Sequence, residues 1–223
     1  MSTQQDREAC QQVVDKVFQV LIDGSKQGYI GENISQLAHS LQAAAQAQEA
    51  HADSETVLAA LLHDIGQFAT GAEHKQMLCD AETLANPDGS SEAGKSGQKL
   101  SVGVSGHERI GAEYLRRLGF SEKIASLVEA HVAVKRYLTG KDSKYYDGLS
   151  NASKLSLKYQ GGPFNQQQIE EFEKDPLYEL KIKVRRWDDN AKIVGWDVPG
   201  LEAYRPMAID HLVEQRQRTT TAS

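Results

Sequence analysis

Two cysteines in 223 residues, Cys10 and Cys79, are too few for a disulfide framework, and without C-x-x-C spacing they offer no thiolate metal site. Any metal bound here must use nitrogen and oxygen ligands. Dense Lys/Arg blocks are missing as well. The net charge is −6 and the pI about 5.7, which argues against a nucleic-acid or anionic-membrane surface. No apolar run approaches the roughly 18 residues of a membrane span, and Met1 to Arg7 are polar. The expectation is a cytoplasmic protein with neither signal peptide nor transmembrane helix, and no obligate protein partner. What is present is a chain of 39% hydrophobic content, enough for one substantial core and read as a single domain over 1–223.

The organising stretch is Leu58-Ala59-Ala60-Leu61-Leu62-His63-Asp64-Ile65-Gly66-Gln67, where a run suited to burial ends on an adjacent His and Asp. An isolated buried carboxylate is costly or gives up its ionisation, and a cation restores the balance. Neighbouring helical residues point about 100° apart, so His63 and Asp64 do not chelate as an i, i+4 pair would. Their placement suits a site with more than one ion, the carboxylate reaching a second metal that the imidazole does not touch. The plainer alternative is a core histidine satisfied by Asp64.

Apolar periodicity predicts helices over about 5–21, 33–49, 53–65, 107–118, 121–138, 150–159, 166–174 and 177–193, and a last one to about 217, with a frayed tail at 219–223. Alternation in Leu180 to Val184 permits a strand, but its setting among helices favours helix. Residues 75–106 are the compositional outlier. Turn formers from Asn86 to Gly97 have nothing to pack, so the segment is read as a flexible or lid insertion. Gly89 to Ser96 matches the letters of a phosphate-binding loop, but no buried strand precedes it and no helical period follows, so the match is rejected.

Three more histidines fall on or at the ends of these helices, His39, His107 and His131, and Asp188 lies on the 177–193 segment. With His63 and Asp64 they make four imidazoles and two carboxylates. Such a set suits two first-row ions such as iron or manganese, whereas zinc alone more often takes four ligands.

The order H…HD…H…H…D resembles the HD-domain superfamily, and the flanking words are similar to its mixed-valent di-iron oxygenases. They are nearer to the enzymes that cleave carbon-phosphorus bonds of 1-hydroxyphosphonates than to myo-inositol oxygenase. The words are Gly28-Tyr-Ile-Gly-Glu32, His131-Val-Ala-Val-Lys-Arg-Tyr-Leu138, Leu155-Ser-Leu-Lys-Tyr-Gln-Gly-Gly-Pro163 and Arg185-Arg-Trp-Asp-Asp-Asn-Ala-Lys192. The resemblance implies an all-α, HD-domain helical bundle around a dinuclear centre. It implies two iron ions, Fe(II)/Fe(III), held by His39, His63, Asp64, His107, His131 and Asp188, with O2 as co-substrate.

By the same resemblance Tyr29 and Glu32 gate the centre, and Lys135, Ser153 and Arg185 hold the phosphonate. Lys192 supports Asp188 from one turn on, and this pairing with the alignment selects Asp188 over Asp189. Gln67 departs from the pattern, taking the place of a substrate-contacting His. The implied reaction cleaves a 1-hydroxy-2-(amino or trimethylammonio)ethylphosphonate to phosphate and glycine or glycine betaine. The rival from another class is an HD phosphohydrolase acting on a nucleotide or phosphate ester, which the ligands alone permit. A third reading, a non-catalytic ligand-binding HD protein, is disfavoured by six intact ligands.

Overall fold

A computed structural model describes residues 3–24, 34–69, 76–80 and 99–221. Among them the chain is a helical bundle, as expected. Its elements are α1 (Thr3–Gly24), α2 (Gln36–Glu49), α3 (Ser54–Leu62), the strands β1 (Gln76–Asp80) and β2 (Lys99–Val104), α4 (His107–Arg117), α5 (Glu122–Glu129), α6 (His131–Lys141), α7 (Ser143–Gly148), α8 (Asn151–Tyr159), α9 (Gln166–Phe172), α10 (Tyr178–Asn190) and α11 (Arg205–Thr221). The 177–193 segment is therefore helix, as its setting favoured.

The bundle is organised by α3. Asp53 caps it by accepting the Thr56 N–H at 3.1 Å, and Val57 to Leu62 are all buried. A helix apolar on every side needs neighbours on every side, and α2, α5, α10 and α11 supply them. It ends at Leu62, short of the expected Ile65. The reason is local: the His63 ring donates through Nδ1 to the Ala60 carbonyl at 2.7 Å, and Asp64 then opens a 3-10 turn, Ile65–Gln67.

A similar event splits the expected 121–138 helix into α5 and α6. At the junction the His131 ring donates through Nδ1 to the Val128 carbonyl at 3.0 Å, engaging an oxygen that an unbroken helix would give to the backbone. In both cases an imidazole is aimed inward at the expense of helix continuity.

The 3-10 turn lies hard against α4. A Cβ on Gly66 would stand 1.9 Å from the His107 carbonyl oxygen and 2.6 Å from the Gly111 nitrogen. Gly66→Ala should therefore push the turn and α4 apart, at a cost at or above the roughly 1–3 kcal/mol of ordinary overpacking. Urea unfolding of the metal-free variant measures it; a loss under about 0.5 kcal/mol, the scale of a neutral surface change, would show that the contact relaxes freely.

The insertion read as a loop carries regular structure at both ends. β1 and β2 pair antiparallel, Gln76 with Val104 and Asp80 with Lys99, with an irregularity between Gln76 and Leu78. Buried Met77 and Val102 pack on Ala152 and Leu155 of α8, and Tyr159 donates to the Leu78 carbonyl at 2.6 Å. Residues 81–98 lie outside the described residues. The polar connection 140–149 contains the short helix α7, and α11 continues through Thr221 where the sequence reading has a frayed tail. Among the described residues no helix is long and apolar enough to cross a membrane.

Candidate metal centre

Six buried side chains from five places in the fold converge in two sets, His39, His63 and Asp188, and Asp64, His107 and His131. His39 comes from α2, His63 and Asp64 from the end of α3, His107 and His131 from the first residues of α4 and α6, and Asp188 from the last turn of α10. Helix ends are suited to this work because their unpaired carbonyls and amides can hold a side chain in place.

Each imidazole is oriented by a backbone carbonyl. His39 Nδ1 donates to Ala191 at 2.8 Å, His63 to Ala60 at 2.7 Å, His107 to Val104 at 2.8 Å and His131 to Val128 at 3.0 Å. The carbonyl fixes the tautomer and leaves every Nε2 presenting its lone pair. These nitrogens then face one another, His39 to His63 at 3.0 Å and His107 to His131 at 2.8 Å. Lone pairs that close repel unless something positive lies between them.

The carboxylates complete the pattern. Asp188 Oδ1 is 3.2 Å from His39 Nε2 and 3.7 Å from His63 Nε2. Asp64 Oδ1 is 3.5 Å from His107 Nε2 and 3.6 Å from His131 Nε2, while its Oδ2 turns to His63 Nε2 at 3.7 Å. One carboxylate thus spans both sets, which is the bridging arrangement expected of adjacent His63 and Asp64. Imidazole and carboxylate donors without thiolate fit a pair of first-row transition ions, and the two sets together indicate a dinuclear metal site.

Electrostatics agree. Burial pushes the Asp64 carboxyl up, but the positive charge that His63, His107 and His131 carry when protonated outweighs it and lowers the group to about 2; with the imidazoles neutral, a bound cation would fill that place. Burial and the neighbouring His107 lower His131 to about 3, so it stays a neutral donor at physiological pH. For Asp188, burial is again opposed, here chiefly by the Arg185 guanidinium, and the group lies well below the usual carboxylate range.

A small cavity of about 70 Å³ opens on this centre, lined among the described residues by Asp64, His107, His131 and Asp188 together with Gln36, Gln67, Val102, Lys135, Ser150, Ala152, Ser153, Ser156, Gln160 and Arg185. The structure therefore brings Lys135, Ser153, Arg185 and Gln67 to the metal ligands. Lys135 is buried, donates to Ser156 Oγ at 2.9 Å, and is lowered to about 7 by burial and then by Arg185. Arg185 is more committed than a plain anion clamp. Its Nη1 meets Asp188 Oδ2 at 2.8 Å, its Nε donates to the Tyr145 hydroxyl at 3.1 Å, and its Nη2 pairs with Asp189. A guanidinium has five N–H groups, so some are left for a ligand in the cavity.

Lys192 follows the end of α10 at Asn190, and Arg185, three residues before Asp188 on the same helix, is a cationic partner of that carboxylate. Gln67 lines the cavity and its oxygen accepts the Val104 N–H at 2.8 Å, which leaves both amide N–H groups and a second lone pair of the oxygen. Tyr29 and Glu32 lie outside the described residues. Sequence reasoning missed Ser156, three residues from Ser153 on α8, and Gln36, three before His39 on α2; helical spacing from a chosen residue was the available signal. Ser150, Gln160, Tyr145 and Asp189 gave none.

The sequence model of the HD domain family matches residues 37–155, which contain five of the six converging side chains. Over 191 residues, 86% of this chain and 84% of the relative, the sequence is 35% identical to a hydroxymethylphosphonate dioxygenase of Gimesia maris. It is 34% identical over 179 residues, 80% of each chain, to a 1-hydroxy-2-(trimethylamino)ethylphosphonate dioxygenase (glycine-betaine-forming) of Leisingera caerulea. An uncharacterised protein of Acanthamoeba polyphaga mimivirus is 36% identical over 186 residues, 83% of this chain and 75% of that one.

Proposed function

Because this chain belongs to the HD-domain family, we propose that it is an O2-dependent di-iron oxygenase that cleaves the carbon-phosphorus bond of a small 1-hydroxylated organophosphonate. The observation that carries the reading is the placement of two cationic side chains, Lys135 and Arg185, in the cavity lined by Asp188 of one ligand set and by Asp64, His107 and His131 of the other. A phosphonate needs cations, and a hydroxyl on the adjacent carbon needs a metal within a few ångströms of them. The dioxygenase names of two relatives support it, as does the small cavity.

The sets His39, His63, Asp188 and Asp64, His107, His131 would hold the two irons, with Asp64 shared, and the metals when bound supply Lewis acidity and redox chemistry with O2. The chain's own residues bind and orient. Lys135 Nζ takes a phosphonate oxygen and regains its full charge beside the dianion; Arg185 offers the N–H groups not used on Asp188, Asp189 and Tyr145. Ser150, Ser153 and Ser156 supply hydroxyls to the same anion. Burial of the ligands keeps bulk water from the reacting carbon. Tyr29 and Glu32 keep the gating role that the family resemblance gives them, and the compartment is the cytoplasm.

The chemistry balances with O2 alone: the carbon-phosphorus bond breaks, the hydroxylated carbon is oxidised to a carboxylic acid, and phosphate leaves. The C2 substituent is amino or trimethylammonio, giving glycine or glycine betaine. The test is phosphate release by iron-loaded protein from 2-amino-1-hydroxyethylphosphonate, its N-trimethylated analogue and hydroxymethylphosphonate, with and without O2, beside a panel of phosphate esters. O2-dependent release from either C2-substituted phosphonate is expected. Release from hydroxymethylphosphonate alone would move the substrate to the unsubstituted compound, and O2-independent ester cleavage would make the protein an HD phosphohydrolase.

A further inference from the structure

Gln67 and the β1–β2 ribbon serve no step in the reading above, yet they are tied directly to the metal centre. Gln67 N–H donates to the Asp64 carbonyl at 2.9 Å, and Gln67 Oε1 accepts the Val104 N–H at 2.8 Å. The carbonyl of that same Val104 accepts the His107 Nδ1 proton at 2.8 Å. One residue at the end of the ribbon therefore links the backbone of one ligand, Asp64, to the ring of another in the same set, His107.

The local sequence is built for this contact. Gly103 has φ +114°, a conformation that favours glycine, and a Cβ there would lie 3.2 Å from both amide atoms of Gln67, so glycine suits the close approach of the ribbon to the amide. Gly106, at the N-cap of α4, makes no side-chain capping bond. The start of α4, and with it His107, is held from the ribbon instead of by a cap. In the other set His39 and His63 lean on the Ala191 and Ala60 carbonyls, and among the described residues the side-chain amide that holds the chain beside Ala191 is Gln42, on Ile193, not Gln67 or the ribbon.

We propose that Gln67 is a positioning residue for His107, acting through Val104, and that the ribbon is thereby an outer support of the Asp64, His107, His131 metal site alone. This rests on the dinuclear reading. Hydrogen-bond partners behind a ligand typically carry 10–100-fold in metal affinity, so the loss should fall on one ion and spare the other.

The experiment is stepwise Co(II) titration of metal-free full-length protein, followed by visible absorption, for wild type, Gln67→Leu, Gln67→Glu and His107→Ala, with the thermal midpoint of each. Wild type should take two ions. Gln67→Leu should keep one at wild-type affinity, with the single-ion spectrum of His107→Ala, and bind the other roughly 10–100-fold more weakly. Gln67→Glu retains an acceptor for the Val104 N–H and should restore the second ion. Wild-type affinity for both ions in Gln67→Leu, or equal weakening of both, would overturn the proposal; a raised KM with both ions intact would make Gln67 a substrate contact instead. Fewer than two ions in wild type would overturn the dinuclear reading itself.

Discussion

Asp64→Asn should reduce the protein from two metal ions to at most one tightly held ion and abolish phosphate release. Among the described residues Asp64 is the side chain whose two oxygens face different sets, Oδ1 toward His107 and His131 and Oδ2 toward His63. Asparagine keeps the size but removes the charge and turns an N–H donor toward one set. Since an outer partner already carries about 10–100-fold in affinity, loss of a shared ligand should exceed the upper end of that range. Metal analysis after dialysis against a weak chelator checks this. Two ions retained at wild-type affinity would mean that Asp64 does not bridge.

Arg185→Ala should destabilise the metal-free protein by about 3–5 kcal/mol, the usual result of removing one partner from a buried ion pair. Arg185 is buried and faces two carboxylates, Asp188 and Asp189, both of which would lose their counter-charge. Metal should return part of the loss, because an ion at His39, His63 and Asp188 takes over the compensation of Asp188. The variant should also bind that ion less well than wild type, since Asp188 would no longer be held by Nη1. Urea unfolding with and without Co(II) reads all three effects. A cost under about 1 kcal/mol, or one that metal does not change, would leave Arg185 as a clamp for substrate alone.

The six converging side chains were legible in the sequence because each is a metal-competent His or Asp within or at the end of an apolar period, and the order H…HD…H…H…D needs no tertiary information. What holds them was not legible. The orienting groups are the carbonyls of Ala60, Val104, Val128 and Ala191, and a carbonyl carries no side-chain signature. The same cause hid the helix breaks, because His63 and His131 looked like continuations of α3 and α5 until their rings were seen to take backbone oxygens. Lys135 and Arg185 line the cavity, but the sequence left their partners open: Arg185 can point along its helix to Asp188 and Asp189 or into the cavity, and periodicity does not choose. The ribbon was masked by the turn formers between its strands, although Met77, Val102 and Val104 are apolar at strand positions.

The most direct test of the account is the fate of oxygen when iron-loaded protein turns over 2-amino-1-hydroxyethylphosphonate under 18O2 in unlabelled water. The balanced reaction needs no reductant beyond the substrate, so one labelled atom should appear in glycine and one in phosphate. Glycine and phosphate that both lack label, or phosphate release that continues without O2, would contradict it.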